Sequence, residues 1–138
     1  MPFRNPAQSN PKARVQSFTV NAHLAGTAPV TAGNYGRFWT APAKCVVDSI
    51  EIIFSANSSS GTVTVHKVPS GTAQDSGTAL LASTVSTSTG ADTIQQGTLS
   101  TTAATVELAA GDSLQLVDSG TLTSSADLAV TVGLHWIS

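Results

Sequence analysis

The tetrapeptide Asp-Ser-Gly-Thr occurs twice in the sequence, at residues 75–78 and 118–121. In aspartic proteases a loop of this type holds one of two carboxylates that share a proton, and each carboxylate needs its own lobe of sheet around it. Only twenty residues follow Asp118, and the polar Gln74 rather than a buried strand precedes Asp75. The spacing therefore argues against a protease and predicts two turns, in which Asp, Ser and Gly are common residues.

Other catalytic and phosphate-binding motifs are also missing from the sequence. The segment "GTAQDSGT" at residues 71–78 has two glycines but lacks the lysine with which a P-loop reaches phosphates. None of the eighteen serines lies in a Gly-x-Ser-x-Gly elbow, the turn that presents a nucleophilic serine. Asp48 and Glu51 differ by an odd number of positions within a predicted strand, which predicts opposite faces and no carboxylate pair.

The three histidines, His23, His66 and His135, are far apart in the sequence. A zinc site needs several such ligands in one place, and His66 and His135 would meet only if their strands were neighbours. We expect instead surface imidazoles on the outer faces of separate strands. With no catalytic motif present, the sequence predicts a protein that is not an enzyme and that has no metal site and no cofactor.

The length and composition are those of one folded domain. A chain of 138 residues can bury one sizeable core, and 41% apolar with 10% charged residues is unlike a disordered chain. The single Cys45 cannot form an intrachain disulfide. No signal-peptide core and no run of about 18 apolar residues is present, which predicts a soluble protein made in the cytoplasm, without a membrane partner.

Charge is distributed unevenly along the chain. The first 44 residues contain no acidic residue and five basic ones, namely Arg4, Lys12, Arg14, Arg37 and Lys44. Residues 45–138 contain all eight acidic residues and only one basic residue, Lys67. Five charges over 44 residues are too few to follow a phosphate backbone, and the acidic remainder repels a polyanion, so we expect no nucleic-acid partner. An acidic protein surface, including that of a neighbouring subunit, is the better electrostatic partner.

Three prolines, Pro2, Pro6 and Pro11, punctuate the N-terminus and favour extended backbone over helix. We interpret residues 1–30 as an extended N-terminal arm and residues 31–138 as the folded domain. A disordered terminus is the alternative interpretation of the first 14 residues.

From residue 15 onward the sequence is typical of short strands, because β-branched residues alternate with polar ones and turn residues recur between them. In the last strand, Leu128 to Trp136 place every second residue on one apolar face. Similar spacing predicts that Val46, Ile50, Ile52 and Phe54 share a face. Eight or nine strands without helices predict an all-β fold, an antiparallel β-sandwich that is jelly-roll-like, with a barrel as the alternative.

Several turn and strand segments carry a family resemblance. "VTVHKVPSGTAQDSGTALLASTV" at residues 63–85 is followed by "TIQQGTLS", "VELAAGDSLQLVDSGTL" and "LAVTVGLHWIS". Over residues 40–138 this pattern resembles the head-decoration (cement) proteins, or related head-surface virion proteins, of tailed bacteriophages. The basic N-terminal segment is not part of the pattern.

The resemblance implies a non-enzymatic structural protein on the capsid surface of a virion, made in the host cytoplasm. Such a protein bridges capsomers, binds the major capsid protein and forms a homo-oligomer, often a trimer. We expect the arm to contact the capsid or an adjacent subunit through Phe3 and Phe18 as apolar anchors and through Arg4, Lys12 and Arg14 as charged groups. The alternative function is a head-fibre or tail-associated module that binds a receptor or glycan, although few aromatic residues are left to form sugar platforms.

Overall fold

The computed structural model describes residues 16–27 and 36–137, which form two five-stranded antiparallel sheets. Sheet 1 consists of β1 (Ser17–Thr27), β3 (Cys45–Ile53), β7 (Gln95–Gln96), β8 (Glu107–Leu108) and β10 (Ala126–Trp136). Sheet 2 consists of β2 (Gly36–Thr40), β4 (Thr62–Val68), β5 (Thr78–Ala79), β6 (Val85–Ser86) and β9 (Ser113–Ser119). The helical segments are a 3-10 turn, Gln74–Ser76, and the single turn α1 (Ala103–Val106).

The strand order is that of a jelly roll. Sheet 1 has the order β1-β10-β3-β7 with β8 also paired to β3, and sheet 2 has the order β2-β9-β4-β5 with β6 also paired to β4. Successive strands from β1 to β4 alternate between the two sheets, and the last two strands, β9 and β10, insert beside the earliest ones. This double Greek-key order confirms the predicted antiparallel sandwich and its jelly-roll character.

The core lies between the two sheets and follows the period of two that the sequence shows. Alternate residues of β10, Leu128 to Leu134, point inward, as do Leu114 and Leu116 of β9. Phe54 is 1% exposed and belongs to this core. The apolar inner faces drive the two sheets together, because each sheet alone would leave one such face in water.

A β-bulge in β3 corrects two predictions made from its sequence. Gly133 of β10 pairs with Ser49, but the next residue, Leu134, pairs with Val47, so Asp48 is an extra residue in β3. Val47 is buried, whereas Val46 is only half-buried, so the prediction that Val46 shares the inner face was wrong. Because the bulge shifts the alternation by one position, Asp48 and Glu51 both lie on the outer face, and their predicted opposite orientation was wrong too.

Between β4 and β9 the chain is less regular than its alternating sequence predicts. The sequence predicts strands at residues 79–85, 93–99 and 105–109, but this region forms only the two-residue strands β5 to β8. Leu80 and Leu81 are both buried, which a simple strand with one inner face does not permit. Lys67 holds part of this region in place, because its Nζ donates hydrogen bonds to the carbonyl oxygens of Ala104 (2.7 Å) and Glu107 (3.0 Å).

Strand β1 lies within residues 1–30, the segment predicted to form an arm. It pairs with β10 from Ser17 opposite His135 to Thr27 opposite Ala126, and it forms one edge of sheet 1. The described part of that segment is thus a strand of the sandwich, which leaves residues 1–15 for an extended arm. Across the described residues, no helix has the length and apolar character needed to cross a membrane.

Candidate interaction surface

The predicted contact residues fall in two places. Phe3, Arg4, Lys12 and Arg14 lie outside the described residues. Phe18 is described, and it packs inward from β1 against the edge of the core. Its ring stacks on Trp136 with 4.2 Å between centroids and lies 5.8 Å from the ring of Trp39.

This aromatic cluster closes one end of the sandwich. Phe18 and Trp136 come from sheet 1 and Trp39 comes from sheet 2, so the cluster joins the two sheets. Gln16 adjoins the cluster, because its carbonyl oxygen accepts a hydrogen bond from the backbone N–H of Trp136 at 3.1 Å. Residues 1–15 therefore join the described fold at this end.

The outer face of sheet 1 is open along residues 17–24 of β1, where the outward side chains are exposed: Ser17, Thr19, Asn21 and His23. On the central strand β10, the outward residues Thr131, Gly133 and His135 are half-buried. No lysine or arginine projects from this face in the five strands described. Its ionisable groups are carboxylates, which include Asp48 and Glu51 of β3, and the imidazoles of His23 and His135.

A groove of about 380 Å³ lies on this face beside the start of β1. It is lined by Ser17, Phe18, Thr19, Asp48, Ser49, Gly133 and Leu134. Gly133 is needed here, because a Cβ at that position would lie 2.5 Å from the Oγ of Ser49. The hydroxyl groups of Ser17, Thr19 and Ser49 and the carboxylate of Asp48 therefore surround Gly133, which has no side chain.

At one end of the groove, His135 and Asp48 form a side-chain hydrogen bond across β10 and β3. The Nδ1 of His135 lies 2.8 Å from each carboxylate oxygen of Asp48, and the two side chains are 24% and 46% exposed. The bulge creates this contact, since it turns Asp48 outward beside a residue that pairs with Val46. The pair fixes the carboxylate at the edge of the groove while leaving it in contact with water.

Ser17, His135 and Asp48 lie in that order across three adjacent strands, which is the order of a Ser-His-Asp triad. Ser17 pairs directly with His135, so their side chains share the outer face. A working triad also needs the serine hydroxyl bonded to the imidazole. Among the described residues, the only hydrogen bond of the His135 ring is the one to Asp48, so the geometry supplies a charged, hydroxyl-rich surface rather than an activated nucleophile.

The outer face of sheet 2 is covered, in contrast to that of sheet 1. Arg37 on β2 donates from Nη2 to the carbonyl oxygen of Thr72 at 2.9 Å, and Gln74 lies against Gly36, where it would touch an added Cβ at 3.6 Å. Residues 69–77, here called the cover loop, thereby fold over the strands of sheet 2. A Cβ added at Gly77 would lie 2.9 Å from the carbonyl oxygen of Lys67, which shows how closely the loop approaches β4.

Polar groups are buried on this covered face. Gln115 of β9 is 0% exposed and Thr64 of β4 is 6% exposed, and both point away from the apolar core. Neither amide atom of Gln115 has a hydrogen-bond partner, and nor does the hydroxyl of Thr64. His66 pairs with Gln115 across the strands, and its burial lowers the pKa of its imidazole below the ordinary value of 6.5.

The other residues considered for chemistry are separated by the fold. His66 and His135 lie on the outer faces of different sheets, as expected, and do not meet. Asp118 pairs with Val63 near the start of β4, whereas Asp75 follows the end of that strand, so the two Asp-Ser-Gly-Thr segments cannot form a carboxylate pair. Within the described ranges, no three His, Cys, Asp or Glu residues are grouped as metal ligands.

Asp112 and Cys45 have structural positions at the aromatic end of the sandwich. Asp112 accepts a hydrogen bond from the backbone N–H of Ala109 at 3.0 Å, which closes the turn that the sequence "AAGD" predicts. Gly111 has a φ of 93° in this turn, a conformation that glycine adopts readily. Burial, and to a lesser extent the charge of Asp112, raises the pKa of the Cys45 thiol, which keeps that thiol in its unreactive protonated form.

This chain is similar to known proteins in fold rather than in sequence. No protein-family model and no curated protein matches the sequence. A chain in the structure of infectious bursal disease virus, Gx strain, is similar with a TM-score of 0.51 and 11% identity, over 89% of this chain and 32% of that chain. This protein thus spans about a third of the length of that viral chain. A chain of the cyanophage Pam1 capsid asymmetric unit aligns with a TM-score of 0.46 and 16% identity, over 99% of this chain and 100% of that chain.

At 11% identity, the similarity to the chain from infectious bursal disease virus establishes a shared fold. The fold class is accordingly the two-sheet jelly roll, which occurs in viral capsid domains as well as in lectins and cupins. A function has to be argued from the surfaces that this chain presents.

Sequence reasoning missed both features that distinguish the outer faces. The pair of Asp48 and His135 depends on the bulge, for which the sequence "CVVDSIEIIF" gives one signal: two polar residues, Asp48 and Ser49, interrupt an otherwise apolar alternation. The burial of Gln115 could not be predicted from its neighbours in sequence, because a polar residue between Leu114 and Leu116 usually indicates an exposed outer face.

Proposed function

We propose that this protein is a non-enzymatic virion structural protein that binds the outer surface of a capsid and stabilises it by bridging capsomers. The observation that carries the proposal is the jelly-roll strand order, shared with a chain from a virus structure. The jelly roll hosts several functions, so the surfaces must favour one of them. The groups examined for chemistry are distributed over separate faces, and the open face is built from hydroxyl and carboxylate groups suited to protein contacts.

Capsid attachment is assigned to the arm and to the aromatic end of the sandwich. The arm, residues 1–15, carries the basic groups Arg4, Lys12 and Arg14, and it joins the fold next to Phe18 and Trp136. The proposed partners are the major capsid protein and further copies of this chain, arranged as a trimer. Many weak contacts repeated over a particle give a high total avidity, so no single contact needs to be strong.

A binding experiment tests the role of the arm. Capsids purified from a virus stock that lacks this protein are mixed with the full chain or with a variant that lacks residues 2–14, and bound protein is measured by co-sedimentation. We expect the deletion to weaken binding at least tenfold while the circular dichroism spectrum of the sandwich is retained. A variant with Arg4, Lys12 and Arg14 each changed to Gln separates the effect of charge from that of chain length. Undiminished binding after the deletion would contradict the role of the arm.

Location on the particle tests the function itself. Antibodies against the purified protein, with gold labels, should decorate the faces of intact heads in electron micrographs, and mass spectrometry should find the protein in many copies per purified particle. Label confined to fibres or tail tips, together with binding of the protein to host cells or to a glycan array, would favour the receptor-binding alternative. Absence from purified particles would exclude both virion roles.

The alternative module has weaker structural support. The exposed large apolar side chains in the described ranges are Ile53 and Ile94, and neither is aromatic. Phe54 is in the core and one face of the Trp136 ring is covered by Phe18, so neither offers a fully open ring to a sugar. Carbohydrate recognition usually draws on exposed aromatic rings, and Phe18, the aromatic residue that lines the groove on sheet 1, packs inward against the core.

A further inference from the structure

The groove on the outer face of sheet 1 has the chemistry of a site for a cation. Asp48 supplies a carboxylate that is 46% exposed, and the hydroxyl groups of Ser17, Thr19 and Ser49 add acceptors around it. The Nδ1 of His135 lies between the two oxygens of that carboxylate, and each oxygen keeps a further lone pair on its outer side. A volume of about 380 Å³ is within the range of sites that hold small ligands.

The charges around the groove favour the same kind of ligand. The strands of sheet 1 place Asp48 and Glu51 on this face, and they place no lysine or arginine there. Lys44, at the start of β3, is already paired with Glu107 at 2.8 Å. A planar guanidinium group suits such a surface, because its five N–H groups can donate to a carboxylate oxygen and to neighbouring hydroxyl groups at the same time.

The sequence supplies basic groups that can reach a groove of this kind. Residues 1–15 contain Arg4, Lys12 and Arg14 and no acidic residue. Arg4 lies twelve positions before Gln16, so an extended segment places it up to about 40 Å from the fold. The 11-residue strand β1 is only about 36 Å long. The segment before Gln16 is therefore long enough for Arg4 to reach past its own sheet to a second copy.

We propose that the groove on the outer face of sheet 1 binds the guanidinium group of Arg4 from the N-terminal segment of a second copy of this chain. The groove lies beside Ser17, at the start of β1 and close to the point where the arm of its own copy leaves. Each copy can thus receive the arm of one neighbour while its own arm continues to the next. Such a head-to-tail contact closes into a ring when the rotation between copies permits it.

Disulfide cross-linking between the arm and the groove tests this inference directly. The full-length variant with Arg4→Cys and Thr19→Cys, in which Thr19 lines the groove, is oxidised under mild conditions and analysed by non-reducing electrophoresis and intact mass. The matched control combines Arg4→Cys with Thr78→Cys, an exposed threonine on β5 of sheet 2. We expect covalent dimers and larger species from the first variant and monomers from the second.

Three results would overturn the inference: a cross-link formed only within one chain, no cross-link at the groove, or equal cross-linking of both variants. The inference rests on the arm of the proposed function, but this experiment uses free protein without capsids. A failure here would therefore leave the capsid-binding test unaffected, and a failure of capsid binding would leave the cross-link standing.

Substitution of the carboxylate gives a second, quantitative readout. Asp48→Asn removes the charge that receives the guanidinium, and we expect the dissociation constant between copies to rise about tenfold in sedimentation velocity. Glu51→Gln, on the same face but outside the groove lining, should leave it unchanged. Equal effects of the two substitutions would show a general response to charge and would contradict a specific site.

Discussion

The two outer faces of this sandwich differ in exposure, although the strands of both sheets show the same alternation of apolar and polar residues. On sheet 1, the outward residues of β1 are exposed and a groove opens beside Asp48. On sheet 2, Gln115 and Thr64 are buried and their side-chain polar atoms have no partners, and the cover loop contacts β2 and β4 of the same sheet. The comparison indicates that sheet 2 uses its outer face within the fold, whereas sheet 1 keeps its outer face available for another molecule.

The difference arises from one connection. After β4 the chain turns back over sheet 2 through residues 69–77 before it forms β5, and the hydrogen bond from Arg37 to Thr72 ties it down. In the described part of sheet 1, no comparable segment crosses the outer face at the groove. Binding surfaces are commonly carried by such open parts of a rigid scaffold.

The largest expected effect is on the free energy of unfolding, for a substitution on the inner face of β9 compared with one on the outer face of sheet 1. Leu116→Ala should lower the free energy of unfolding by about 2–5 kcal/mol, because it removes a buried side chain and leaves a cavity. Asn21→Ala, at an exposed position on β1, should change it by less than about 0.5 kcal/mol. Urea unfolding followed by tryptophan fluorescence measures both. Similar losses for the two variants would contradict the assignment of inner and outer faces.

A substitution on the outer face of sheet 2 should have the opposite effect and raise the free energy of unfolding. Gln115→Met keeps the approximate shape of the side chain but removes two buried polar groups that lack partners, so we expect stabilisation by about 1 kcal/mol. Thr131→Val, at a half-buried position on the outer face of sheet 1, is the matched control and should stay within about 0.5 kcal/mol of the wild type. A loss of stability above 1 kcal/mol for Gln115→Met would show that the amide is hydrogen-bonded in solution.

Releasing the cover loop from β2 should make the outer face of sheet 2 more accessible to solvent, as the outer face of sheet 1 is. Arg37→Met removes the hydrogen bond to the Thr72 carbonyl oxygen, and we expect about 1 kcal/mol of destabilisation. Hydrogen exchange read by mass spectrometry should then become faster in residues 69–77 and stay unchanged in β1. If peptides from both regions exchange faster to the same degree, the substitution has destabilised the whole fold rather than the cover loop.

The smallest expected effect is a pH dependence of the free energy of unfolding, which arises from His66 on the outer face of sheet 2. Burial lowers the pKa of His66 below 6.5, so near that pH the unfolded chain binds more protons than the folded one. The contribution of His66 to stability is therefore fully present above pH 6.5 and is lost as the pH falls through the pKa of the folded state. His66→Gln should make the free energy of unfolding fall less between pH 7.5 and pH 5.5, measured by urea titration. An unchanged slope would contradict the burial of this imidazole.

Much of the fold could be predicted because the strands that form it are long and locally regular. The alternation in "TVTVHKV" predicts β4 with its observed limits, and that in the final strand predicts the inner face from Leu128 to Leu134. The sandwich follows from these faces, since each needs an apolar partner. The short strands between β4 and β9 could not be predicted, because their positions depend on contacts with β3 and β4 rather than on their own sequence.

The candidate site was harder to predict for the same physical reason. The hydrogen bond between His135 and Asp48 joins residues 87 positions apart, and it exists because one extra residue in β3 reverses the direction of a side chain. The inward position of Phe18 depends on the pairing of β1 with β10, whereas its sequence neighbours indicated an arm. Local patterns carry information about one strand, and these features depend on the register between strands.

Electron cryomicroscopy of the virus particle, at a resolution that separates subunits, tests the central proposal most directly. We expect jelly-roll density on the outside of the capsid shell, in many symmetry-related copies, with residues 1–15 extended over the capsid or over a neighbouring copy. Density for this chain at a tail or fibre tip, or its absence from the shell, would contradict a capsid-binding structural role.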